Sequence, residues 1–268
     1  MTDLAVIILQ KNEALHIRRC LEKLRPLAPR QVFVVDCFST DGSDRMAQEL
    51  GATVAYHEWP GNQAAQFNWA LDNLPINAAW ILRLDADEYL TEAAIHEIHG
   101  FVATPEEGVS LAALPLKRTW QRRFIRFGVP RIYIPRLFRS GTCRYGTCEM
   151  DEKLVPHTGR TVRLTHEFVD DNLNGLAWWK TKHLGYAERE ARQALQGARG
   201  NKVLYYKMPP FARAVAYWAL RYFIYGGFLD GRAGWSWNWW QGLWYRWQVD
   251  RKIGQLKRKR HCGSGDLI

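Results

Sequence analysis

Four short apolar runs in the first 85 residues alternate with stretches of helical periodicity, and that alternation leaves few folds open. Leu4–Leu9, Gln31–Asp36, Thr53–Tyr56 and Trp80–Leu84 each have strand length. Between them Leu15, Ile17, Cys20, Leu21 and Leu24 recur at helical spacing. Ser39-Thr-Asp-Gly-Ser43 opens a helix predicted to reach about Gly51, and Gln63–Leu74 reads as another helix. Buried strands separated by helices predict an α/β fold with a mostly parallel sheet. Ligands of such sheets bind beyond the carboxyl ends of the strands. Asn12 and Glu13 follow the first run, Asp36 ends the second, and Asp85, Asp87 and Glu88 follow the fourth. These residues are therefore predicted to converge on one edge. Carboxylates gathered at the end of a buried strand are costly unless a positive charge sits between them. A hard divalent cation holding a phosphorylated substrate would supply it; the alternative is an ordinary acidic loop before a helix starting near Thr91.

The chain of 268 residues is long enough for one good core with an appended subdomain. Residues 1–107 carry the α/β pattern. Residues 108–200 are more irregular, with short strands expected around Lys153–Val155 and Val162–Leu164, and residues 201–268 are predicted to be helical. The five cysteines are odd in number and scattered, and Cys143 and Cys148 have no second pair to complete a zinc site, so reduced thiols are expected. Met1-Thr2-Asp3 runs straight into the first strand, which predicts a cytoplasmic protein without a signal peptide. The net charge of +10 is unevenly spread: residues 202–268 carry +9, residues 108–148 carry +9, and the remainder carries −8. Two basic segments on an acidic body imply a polyanionic surface nearby, either nucleic acid or an anionic membrane.

Ile-Leu-Gln-Lys-Asn-Glu-Ala (8–14), Val-Val-Asp-Cys-Phe-Ser-Thr-Asp-Gly-Ser (34–43) and Leu-Asp-Ala-Asp-Glu (84–88) resemble the nucleotide-sugar domain of family 2 glycosyltransferases, which have the GT-A fold. Residues 57–61, 66–71, 136–139, 151–154 and 228–234 are similar to motifs of the bacterial glucosyltransferases of lipopolysaccharide-core and exopolysaccharide assembly. The resemblance runs over nearly the whole chain in the expected order. One departure stands out: Asp151 occupies a place where the family often has histidine.

The resemblance implies an inverting, metal-assisted hexosyl transfer from a UDP-sugar, with UDP-glucose expected. It puts Asp87 on a Mn²⁺ or Mg²⁺ ion and Asp85 on the metal or the ribose. A cation bridging the two phosphates stabilises the leaving group without a basic phosphate cradle, and no Gly-x-x-x-x-Gly-Lys sequence is present. Asp36, with Asn12 and Glu13 nearby, is suited to a uracil edge and ribose hydroxyls; its alternative role is to cap the turn ahead of Ser39. Gln66 and Asn68 are placed near the nucleotide or sugar, with a polar role in the core or at the surface as the alternative. Glu152, with Asp151 in reserve, is the expected base, partly desolvated by Met150, Leu154 and Val155; the alternative is a solvated strand-edge pair with Lys153. His166 resembles a late histidine that completes the metal site, with a plain core or surface role as the alternative.

Trp120, Phe124 and Phe127 are spaced i, i+4, i+7 among arginines, and Trp237, Trp240, Trp244 and Trp247 form a second stripe beside Arg246, Arg251 and Lys252. Tryptophan with arginine and lysine at this density predicts helices lying in a membrane interface. Spanning is not expected, because Arg213 and Arg221 break the run Phe211–Leu229. Each cation near an anionic leaflet contributes about 1 kcal/mol, and Lys257-Arg-Lys-Arg260 adds to this. The competing account is a subdomain core of aromatics with a solvated basic tail. A lipid-linked saccharide acceptor would explain a peripheral enzyme on the cytoplasmic face of the inner membrane. Nucleic-acid binding ranks lower, since carboxylate-tipped strands repel phosphate; a catalytically silent membrane scaffold is the third reading.

Overall fold

A computed structural model describes residues 1–146, 154–196 and 208–262. The described chain forms two compact units, residues 1–122 with 131–173, and residues 123–130 with 174 onward.

The first unit is built on strands β1 (Thr2–Gln10), β2 (Pro29–Asp36), β3 (Thr53–Tyr56), β4 (Trp80–Asp85), β5 (Glu88–Leu90) and β6 (Val109–Trp120). Further along the chain come β7 (Arg123–Ile125), which belongs to the second unit, and then β8 (Tyr133–Arg139), β9 (Cys143–Tyr145), β10 (Leu154–Pro156), β11 (Arg160–Arg163) and β12 (Phe168–Asp170). Helices α1 (Ile17–Leu24), α2 (Ser43–Glu49), α3 (Gln63–Asn73) and α4 (Glu92–Ala103) connect the early strands. The main sheet runs β3-β2-β1-β4-β8-β6-β12-β5, with β11 also paired to β6. The first four strands are parallel, as the sequence pattern predicts. β8 enters antiparallel between β4 and β6 and makes the sheet mixed.

Both faces of the sheet are covered, which is why its strands read as continuous apolar runs. Leu4, Val6, Ile8, Leu82 and Leu84 pack with Ile17, Leu21, Ile95 and Ile98 of α1 and α4. Ala5, Ile7, Leu9 and Ile81 pack with Ala64, Phe67 and Ala70 of α3. The division expected near residue 107 falls inside this sheet, because β6, β8, β11 and β12 complete it. The helical spacing of Trp120, Phe124 and Phe127 is not a helix either. Trp120 ends β6, Gln121 and Arg122 turn the chain with left-handed φ of 50° and 63°, and Phe124 lies in β7.

The second unit holds α5 (Leu176–Gln196), α6 (Pro210–Ala219), a π-type turn Leu220–Ile224, a short 3₁₀ turn Gly227–Asp230, α7 (Gly231–Trp237), a π-type stretch Asn238–Trp244 and α8 (Tyr245–Cys262). The tryptophan stripe predicted to face a membrane is instead largely internal. Trp237 is buried and Trp240 and Trp244 are half-buried; the Trp244 ring lies 5.9 Å from Trp179, and Lys180 sits over Trp240. Only Trp247 lies at the surface. A stretch of wider π geometry inside 237–247 shifts the phase that a constant 3.6-residue count assumes. Arg213 and Arg221 also turn inward: Arg213 pairs with buried Asp250, and the Arg221 Nε donates to the Gly128 carbonyl.

The resemblance motif at 228–234 has a packing reason. A Cβ on Gly234 would collide with the Gly227 carbonyl oxygen, a Cβ on Gly227 with the Asn238 amide, and a Cβ on Gly128 would lie 2.8 Å from Asn238 Nδ2. Asn238 is fully buried and donates to the Gly234 carbonyl. Gly234→Ala is expected to lower the unfolding free energy by about 1–3 kcal/mol, the usual cost of overpacking, measurable by urea denaturation.

Stability of the second unit carries a pH signature. Burial lowers the His183 imidazole to about 4, despite the bond from its Nδ1 to the Trp179 carbonyl, which favours the charged form. The unfolded chain then binds the proton more readily, so stability is complete above about pH 6.5 and falls as pH drops toward the folded value. Melting curves between about pH 7.5 and pH 5 should show this decline, and His183→Phe should flatten it.

Candidate active site

The parallel strands deliver their acidic ends to one edge of the first unit. In register, Gln10 of β1 lies beside Asp36 of β2, and Leu9 lies beside Asp85 of β4. Asp36 and Asp85 are thus two strand spacings apart, about 10 Å. The pleat sends their side chains to opposite faces, because neighbouring residues of one strand alternate. Asp36 shares the α1 face with Gln10, while Asp85 shares the α3 face with Leu9. Asp87, past the end of β4, accepts at its carbonyl from Arg19 of α1.

Two loops close this rim by locking together. Asn12 Oδ1 accepts from the Thr40 N–H, and the Asn12 N–H donates to Ser39 Oγ. The Ala14 N–H donates to Asp41, whose other oxygen accepts from the Ser43 hydroxyl and N–H. Partial burial works to raise Asp41, but these bonds hold its carboxyl below the usual range. Asn12 and Phe38 both adopt left-handed backbone, with φ of 55° each. Such strain in non-glycine residues collects at functional sites. Phe38 is 56% exposed and stacks on Tyr56 at 5.7 Å, so an open aromatic surface stands beside the locked loops.

Beneath the rim lies a buried ionic cluster. Arg136 of β8 contacts Glu88 and lies 3.6 Å from Asp85; Arg83 lies 3.4 Å from the other Asp85 oxygen. Glu88 also accepts from the Asp85 N–H. Burial pushes the Glu88 carboxyl up and Arg136 opposes this. Burial alone would lower Arg136, but Glu88 and Asp85 beside it raise it, so the cation persists. Asp85 is therefore engaged by two arginines.

Asp87 stands differently. Its Oδ2 accepts from Asn172 at 2.9 Å, while its Oδ1 accepts no hydrogen bond from the described residues. Asn172 is held by the strand pairing of β12 with β5, which puts the Asp171 N–H on the Asp87 carbonyl. Asp171 in turn binds Arg19 and Thr119, and the adjoining Leu173 N–H donates to His16, whose other ring nitrogen meets Glu13. None of His16, Arg19, Thr119, Asp171 or Asn172 was picked out from the sequence. Only the antiparallel return of β12 brings residue 172 to residue 87.

That same pairing moves His166 away from the metal-ligand role expected of it. Phe168 opposes Leu90 and Asp170 opposes Glu88, so His166 comes before β12 begins, five residues short of the Asp87 level. It is exposed, and its N–H caps Glu97 of α4. The expected donor-binding roles of three other residues also change. Asp36 is fully buried, with one oxygen accepting from Gln10 and the other from the Ser39 N–H, so it shapes the turn that carries Phe38. Gln66 is fully buried and bonded to His57 and Cys37. Asn68 clamps Tyr145 through both of its amide groups. Asp151 and Glu152 lie outside the described residues, between β9 and β10.

Among the described residues no three His, Cys, Asp or Glu side chains are placed to enclose a metal ion. The open Asp87 oxygen nevertheless fits an ion that takes one protein carboxylate and fills its remaining positions with phosphate oxygens and water, as Mg²⁺ commonly does.

The family profile described as glycosyl transferase family 2 matches residues 5–155. An uncharacterized glycosyltransferase of Rickettsia felis is 35% identical over 112 residues, 42% of this chain and 38% of that protein. A TPR repeat-containing protein of Synechococcus elongatus is 28% identical over 205 residues, 72% of this chain and 45% of that protein. The chain thus spans less than half the length of these curated relatives. Among solved structures, glucosyl-3-phosphoglycerate synthase from Mycobacterium tuberculosis superposes with a TM-score of 0.37 at 17% identity, covering 43% of this chain and 44% of that one.

The ionic cluster gives a direct test. Arg136→Leu strands Glu88 beside Asp85 and should cost about 3–5 kcal/mol in urea unfolding. Arg136→Leu with Glu88→Leu should recover most of that loss; equal losses in the single and double variants would contradict the pairing.

Proposed function

The chain belongs to glycosyl transferase family 2, and from that membership we propose that it moves a hexose, by an inverting step, from a UDP-sugar, with glucose as the first sugar to test, to a saccharide carried on a lipid. The observation that carries this reading is Asp87: a carboxylate beyond the carboxyl edge of the parallel strands, steadied on one oxygen and open on the other. Asp87, with Asp85 behind it, would hold a Mn²⁺ or Mg²⁺ ion on the donor's diphosphate, and such an ion supplies Lewis-acid stabilisation of the leaving group.

The rest of the step belongs to the chain's own groups. Asn172 fixes the rotamer of Asp87, and Arg83 and Arg136 hold Asp85 in place from either side. The open face of Phe38, presented by the locked loops at Asn12–Ala14 and Ser39–Asp41, offers a stacking surface for the donor's base. Glu152 or Asp151 takes the proton from the acceptor hydroxyl. That oxygen forms the new bond to the anomeric carbon from the face opposite the diphosphate, and the old carbon–oxygen bond breaks with its electron pair leaving on UDP. The lipid-borne acceptor is supported by the basic, aromatic-rich second unit, and with it a peripheral place on an anionic membrane. Among the described residues no helix is long and apolar enough to cross a bilayer.

Thermal shift with UDP-glucose and Mn²⁺ tests the donor half. Stabilisation is expected with both present and is expected to shrink on adding EDTA. Asp87→Ala should abolish the metal-dependent part, and Phe38→Ala should weaken donor binding about tenfold. If Asp87→Ala leaves both metal response and turnover intact, the site is elsewhere.

A further inference from the structure

We infer that the second unit docks on an anionic bilayer through one apolar edge, made by the turn Leu220–Leu229 with Phe127 and Trp235. This deepens the lipid-acceptor reading above by naming the face that meets the membrane, and it differs from the tryptophan stripe that the sequence pattern favours.

The edge is apolar because the charges that interrupt its sequence point away from it. Arg213 and Arg221, which break the run Phe211–Leu229, are both buried, one on Asp250 and the other on the Gly128 carbonyl. What remains outside is Phe223 at 57% exposure, Ile224 at 73%, Phe228 at 47%, Leu229 at 58%, Trp235 at 50% and Phe127 at 40%. Phe223, Phe228, Leu229 and Phe127 gather around the turn, and Trp235 stands on α7, whose Gly234 packs on Gly227 of the same turn. Tyr222 is in ring contact with both Phe223 and Phe228, and Phe127 and Leu229 both approach Gly226. Gly226, with φ of 70°, reverses the chain there and leaves Ile224 at the tip. Asp230 accepts from the Arg126 and Phe127 N–H groups and so fixes the 123–130 segment against this turn.

Isolated exposed apolar residues are ordinary, but a continuous cluster of large ones marks a docking surface. Its charge selects the occupant. Arg123, Arg126 and Arg232 are exposed on the flanking segments, while residues 123–130 and 208–244 contain a single acid, Asp230, already bonded to backbone. Aromatics and aliphatics at a protruding turn, rimmed by arginine and without opposing carboxylates, match an interface of acyl chains beneath anionic headgroups.

Flotation of the full chain with vesicles tests this. With phosphatidylcholine vesicles containing a minority of phosphatidylglycerol, the protein is expected in the floating fraction, and with phosphatidylcholine alone much less of it. Phe223→Ser with Ile224→Ser should lower partitioning about tenfold or more. Arg126→Gln should lower it about fivefold on the anionic vesicles only. Melting temperature and the donor-induced thermal shift should stay unchanged in both variants. Flotation of the apolar double variant equal to that of the original protein would overturn this face while leaving membrane association standing. A protein that never floats, or one that forms a dimer lost in the same double variant, would overturn the bilayer as occupant. Loss of the donor-induced shift in the original protein would instead count against the transferase reading and leave the face untouched.

Discussion

The acidic rim rests on one buried cation. Arg136 reaches from β8, the antiparallel strand wedged between β4 and β6, and sets its guanidinium among Glu88, Asp85 and the ring of Phe168. It sets positive charge against Glu88, whose carboxyl burial pushes up, while Arg83 meets the other oxygen of Asp85. Asp85 is held from both sides, and the chain projects Asp87 one step farther out with an oxygen to spare. The antiparallel register of β8 on β4, with Leu82 opposite Leu137, puts Arg136 near the end of β4 from far down the chain.

The parallel half of this arrangement was legible in the sequence because local pattern determines it. Apolar runs at Leu4–Leu9 and Trp80–Leu84 became β1 and β4 within a residue or two, and the carboxylates did gather at one edge. Roles within the edge were less legible. Asp36 and Gln66 look in sequence like ligand-binding residues, yet both are fully buried and bond inside the protein, Asp36 to a turn and Gln66 to half-buried His57. No local signal links Asn172 to Asp87, because an antiparallel pairing between segments 85 residues apart makes the contact. His166 shows the converse: the right residue type stands in the bend ahead of β12, five places short of the level that matters.

The aromatic C-terminal region teaches a related lesson about periodicity. Counting tryptophans at helical spacing finds a real stripe, but it does not say which way the stripe faces. Here Trp240 and Trp244 join α5 to the π-type stretch Asn238–Trp244, while a turn and two flanking residues form the outer edge. Burial of Arg213 and Arg221 is what converts an interrupted apolar run into an uninterrupted apolar surface.

The interlock of Gly128, Gly227 and Gly234 around Asn238 bears on how kinship to this protein should be judged. Three separate positions admit nothing larger than a hydrogen atom: Gly128 and Gly227 leave room for the Asn238 amide, and Gly234 lets its helix close on the Gly227 carbonyl while accepting from that amide. A homologue that keeps these four identities inherits the same helical knot, whatever it does with a sugar. One that loses them has rebuilt this portion of the molecule even if every acid of the rim is retained.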